Sequence, residues 1–194
     1  MEFKQTVPVA IGNNPVRQEE LPKLLHFYGM PLWRRLLLGR NEEVQLLETQ
    51  YVLHPFWFIK VAAYADRPPF SPKLRRHVLY IDAVTGERGL TDRFPEIEKT
   101  PKTAKKIVPP LLKDEDVKQM TEELIENLIL RPYLLKRPRI EVAGRKLVYL
   151  PHYQVRVNVR DGEIHSLSVN ALSREVKKLS PMRASSKCIS PRTQ

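Results

Sequence analysis

Two histidines open similar phrases in this chain, HVLYIDAVTGER at 77–88 and HSLSVNALSREV at 165–176. Held at equivalent places in two like units, His77 and His165 can face each other across an approximate two-fold axis as a ligand or titrating pair, since imidazole changes charge near neutral pH. The spacing offers no metal chemistry beyond that, because His26, His54, His77, His152 and His165 include no HxxxH pattern and the chain has no CxxC. Cys188 is the single cysteine and has no internal thiol to pair with. No nucleophile-elbow sequence occurs, and the seven glycines form neither GxGxxG nor GxxxxGK[ST]. Asp82 reads as a turn-forming side chain that bonds the backbone two residues on. No catalytic residue, metal site or cofactor is assigned.

Charge is the largest anomaly. Thirty-three Lys+Arg against 22 Asp+Glu leave a formal net charge of +11, which favours acidic partners. Arg75, Arg76, Lys99, Lys102, Lys105 and Lys106 are the candidate contacts to an anionic partner. Aromatic residues interleave with cations at Trp57 and Lys60, and again at Tyr153 and Arg156, and these four are the candidate partner-binding residues. On one sheet face they would stack bases and meet phosphates; the alternative places Trp57 and Tyr153 under helices.

The elements that must position these residues follow from periodicity. TVPVAIG near the start is an extended segment, an edge strand or an arm, and 18–40 has helical spacing interrupted by Gly29 and Pro31. Val44 to Ala65 is rich in β-branched and aromatic residues, giving one long strand or two meeting at Pro55. HVLYIDAV is a strand closed by TGER, where Gly86 supplies a positive φ. Acids at 114–116, apolar residues at Val117, Met120, Leu124 and Leu128, and Arg131 near the end define a helix. RIEVAG and RKLVYLPHYQVRVNV are strands, and Asp161-Gly162 makes the tight turn into EIHSLSVNAL.

Aligning Pro55 with Pro151 pairs YVLHPFWFIKV with LVYLPHYQVRV, and aligning His77 with His165 pairs the two hairpins, so each half reads helix, strand, hairpin, strand. The phrase VLYIDAVTGER resembles the closing hairpin of PepSY-type domains, whose strand ends in Asp before a Thr-Gly-Glu-like turn. The second copy departs from that pattern at Asn170, Ser173 and Arg174. The resemblance implies a helix packed on antiparallel strands and a role in binding or inhibiting a partner protein, and it brings no catalytic residues.

The expected fold is therefore α+β, with two tandem units that each pack a helix on a small antiparallel sheet. The units span 1–98 and 113–179, joined by a basic Pro-rich linker at 99–112 and followed by a disordered basic tail at 180–194. The expected function is a non-enzymatic protein-binding or assembly module, with a nucleic-acid-associated accessory protein as the alternative. The start lacks a basic segment followed by an apolar one, and no run reaches the roughly 18 apolar residues of a membrane span. The expected location is the cytoplasm.

Overall fold

The computed structural model describes residues 6–25, 28, 45–67, 69–101, 106–133, 136–159 and 163–179. Strands make up 58% of it and join in one mixed sheet of nine. Two long strands form its spine: β2 (Gln45–Arg67) pairs antiparallel with β7 (Arg139–Val159) from Gln45↔Asn158 to Tyr64↔Arg139. Both sequences alternate β-branched and aromatic residues over a length that only a mutual partner can satisfy. β3 (Phe70–Asp82) flanks the C-terminal half of β2, and β8 (Glu163–Asn170) that of β7. β4 (Arg88–Thr91) adds to β3, and β9 (Val176–Lys178) to β8. Near the middle β1 (Thr6–Ile11) runs parallel to β7 at Val9↔Tyr149 and antiparallel to β5 (Glu96–Pro101), while β6 (Lys106–Ile107) runs parallel to β2.

This architecture overturns the α+β expectation. Instead of two tandem helix-on-sheet units of the PepSY-like kind, the chain builds one mainly-β sheet. The physical reason is that β2 and β7, the central strands of the two halves, pair with each other and fuse both hairpins into one hydrogen-bonded layer. The segment 99–112 contributes the end of β5 and all of β6 to that layer. The Asp161-Gly162 turn, the tail 180–194 and most of the helical segment expected at 18–40 fall outside the described residues.

The two helices among the described residues lie on one face. α1 (Leu21–Leu25) buries Leu21 and Leu25 against Tyr153, Val155, Val157, Leu167 and Val169. α2 (Asp114–Leu124), continued by a wider turn at Ile125–Leu130, buries Val117, Leu124, Ile125 and Ile129 against Ile59, Val61, Ala63, Leu79 and Ile81. Side chains alternate along a strand, so the odd-numbered residues of central β2 face the helices and the even-numbered ones face away. No described helix is long and apolar enough to cross a membrane.

Pro55 and Pro151 sit inside regular pairing, at Pro55↔Tyr149 and Leu53↔Pro151. Each turns its nitrogen side to the outer edge of the spine, where Pro55 O accepts from Ala83 N at 3.0 Å and Pro151 O from Ala171 N at 2.9 Å. Pro55 lies between the β6 pairing at Val52–Leu53 and the β3 pairing from Phe56, so its missing donor falls at a gap between two ladders.

Candidate functional site

The face opposite the two described helices holds a groove of about 1230 Å³. Its floor comes from alternate residues of four strands: His54, Phe56 and Phe58 on β2, His152 and Gln154 on β7, Tyr80 and Asp82 on β3, and Ser166 and Ser168 on β8. Rings crowd the centre. His54 meets His152 edge-on at 5.3 Å between centroids, Phe56 stacks on His152 at 5.9 Å, and Phe56 lies 6.4 Å from Tyr80.

Two turns frame this floor and repeat bond for bond. Asp82 Oδ1 accepts from Val84 N at 2.8 Å and Thr85 N at 3.1 Å, and Asn170 Oδ1 accepts from Leu172 N at 2.8 Å and Ser173 N at 3.1 Å. Gly86 N donates to Asp82 O and Arg174 N to Asn170 O, each at 3.0 Å. Both closing residues take positive φ, 76° at Gly86 and 63° at Arg174. These are Asx turns, available to either Asp or Asn because each offers a short side-chain oxygen.

The two halves differ in charge. Asp82 Oδ1 also takes a 2.9 Å bond from His54 Nε2, whereas the residue corresponding to His54 in the second half is Leu150. Burial raises the Asp82 pKa, but the His54 bond and charge and the two turn N–H groups outweigh it and hold the carboxyl at about 2. An ionised Asp82 fixes His54 Nε2 as the donor. Burial dominates at His152, with the neighbouring His54 charge adding to it, and lowers its pKa to about 4, so the ring is neutral at pH 7. Its Nδ1 donates to Leu150 O at 3.2 Å, which leaves Nε2 as an acceptor. Lys177 Nζ bonds Glu87 Oε1 at 2.5 Å and ties β9 to the first turn.

The sequence-derived candidates scatter over this frame. His77 pairs with Val61 and His165 with Val157, which itself pairs with Leu46. Fifteen residues of β2 separate those positions, about 50 Å of strand, so the two histidines form no pair. His165 bonds Glu163 Oε2 at 3.0 Å and meets Tyr28 edge-on. Trp57 packs beside Ile59 and Ile81 on the helix face, and Tyr153 is buried beneath α1 with its hydroxyl donating to Val16 O at 3.2 Å. Lys60 lies over the Phe94 ring on the open face, and Arg156 pairs with Glu48 toward the other end of the spine.

Arg75 faces the helix side of β3 and Arg76 the open side. Lys99 lies on β5, and Lys106 Nζ donates to Gln50 Oε1 at 2.9 Å. Lys102 and Lys105 fall outside the described residues. Among the described residues no group of three or more His, Cys, Asp or Glu side chains could hold a metal ion.

The His54–Asp82–His152 cluster escaped sequence reasoning, although a sign of it is present. His54 precedes one marked proline and His152 follows the other. Antiparallel pairing of those two segments makes the two histidines diagonal neighbours on one face. No family model matches the chain, and neither a curated protein nor a solved structure matches it.

Proposed function

We propose that this protein is a non-enzymatic binding module whose open sheet face receives an extended segment of a protein partner. The observation that carries this reading is the groove itself. At about 1230 Å³ it exceeds the roughly 300–1,000 Å³ of small-molecule pockets, and an apolar aromatic floor between polar rims suits a chain with alternating side chains. The cluster supports a recognition role: Asp82 spends one oxygen on two turn N–H groups and His54, while His152 Nε2 offers a fixed acceptor. Selection from a displayed peptide library, followed by amide-shift mapping, tests it. Binders should perturb Phe56, Tyr80 and His152, and Phe56→Ala with Tyr80→Ala should weaken them at least tenfold. Binders that map only to the helix face would sink the proposal.

One observation favours a second reading. Beyond the groove, the same face carries Lys60, Arg76, Arg139 and Lys146 in neighbouring rows, with Arg139 over Tyr64 at 5.3 Å. None of the four makes an ion pair among the described residues, and Glu141 is the acid beside them. Cations interleaved with rings suit a single-stranded nucleic acid. Four phosphate contacts give a slope of about 3 in log affinity against log salt. Fluorescence anisotropy over a salt series should show that slope, and the quadruple Ala variant should lose it; salt-independent binding rejects this reading.

A further inference from the structure

On the helix face, just past the end of the wider turn at Leu130, a separate pocket of about 210 Å³ opens against β3. Two small residues of β2 create the space, because Ala63 and Ala65 lie where Arg75 and Lys73 cross the sheet and leave no bulk beneath them. Lys73, Arg75 and His77 occupy alternate positions of β3, so all three line the same side at intervals of about 7 Å. Leu128, Ile129, Pro132 and Tyr133 form the opposite wall, and no carboxylate lines the pocket. None of the three basic groups makes an ion pair or hydrogen bond with another described side chain.

Three basic groups set together without a counter-charge repel one another. The end of the helical segment above them carries a partial charge of only about −0.5, too little to balance two full cations and an imidazole. Edge protection of β3 would explain exposed charge there, yet it would not require the basic groups to converge on a cavity walled by apolar residues. The size is decisive for the ligand, since the volume is below that of ordinary small-molecule sites yet ample for one tetrahedral oxyanion with a short apolar body.

We propose that this pocket binds a phosphate monoester, with Arg75 presenting its planar fork to two phosphate oxygens, Lys73 adding a point charge, and Leu128 and Tyr133 covering the organic group. Arginine geometry matches phosphate in this bidentate way. His77 is the internal reporter. Burial and then the Arg75 charge lower its pKa, and a bound dianion opposes both effects by favouring the imidazolium.

The test is a titration of the full chain with phenyl phosphate, followed through the His77 Cε1 proton by NMR, with sodium chloride at matched ionic strength as control. A saturable shift with Kd at or below about 1 mM, together with an upward move of the His77 titration midpoint, is expected. Inorganic phosphate should bind more weakly because it leaves Leu128 and Tyr133 uncovered. Arg75→Ala should weaken binding at least tenfold. Leu128→Glu, at an exposed position, should do the same without removing a cation. Absence of a saturable shift, a shift reproduced by chloride, or wild-type affinity retained in either variant would overturn the proposal.

Discussion

Arg174 holds a backbone conformation at φ 63° that its counterpart Gly86 holds at 76°, and only glycine adopts that region without strain. Arg174→Gly should therefore raise stability by up to about 1 kcal/mol, and Gly86→Ala should lower it by about 1 kcal/mol, both read from urea midpoints at constant m. The buried cluster predicts an acid response with two limbs. His152 has a folded pKa of about 4 against 6.5 unfolded, so its stabilising effect is complete above pH 6.5 and falls by about 3 kcal/mol as pH drops to 4. Asp82 has a folded pKa of about 2 against 3.8, so its contribution of about 2 kcal/mol is complete above 3.8 and disappears toward pH 2. His152→Phe, which copies its counterpart Phe56, should flatten the upper limb in denaturation curves taken across pH. Asp82→Asn, which copies Asn170, should keep the turn and flatten the lower one. The turn at Asp82 and the glycine in it were legible in the sequence because their chemistry is local. His152 was not, because its burial depends on a strand more than 80 residues away.

At the scale of elements, the strands announced themselves by alternation and α2 by acids at its start and apolar residues three and four apart. Their partners did not. Nothing local to 45–67 states that its neighbour is 139–159, and so alternation alone leads only as far as two small sheets. The prolines illustrate the same limit. Pro55 allows one long strand or two meeting there, and it sits within one long strand, in register with β7 and with its nitrogen toward a gap between the β6 and β3 pairings. Replacing buried Pro55 by alanine should thus be destabilising, because the change adds a buried N–H at a gap between two ladders. A loss of about 1–3 kcal/mol is expected from urea denaturation.

For the whole molecule, one sheet shared by both halves implies one cooperative unit despite separate clusters beneath α1 and α2. Leu25→Ala and Leu79→Ala, one in each cluster, should each cost about 2–5 kcal/mol. They should also shift far-UV and near-UV transitions together, where independent halves would give two separate steps. The spine sets the timing of folding as well. Its paired residues lie 75 to 113 positions apart, from Tyr64↔Arg139 to Gln45↔Asn158, a separation that places formation of the native sheet among slow, non-local events. At ribosomal speeds of about 5–20 residues per second, the 72 residues from Arg67 to Arg139 take roughly 4 to 14 s to synthesise. Through that interval the newborn β2 presents a 23-residue unpaired edge, and a cell making this protein must shield that edge until β7 emerges.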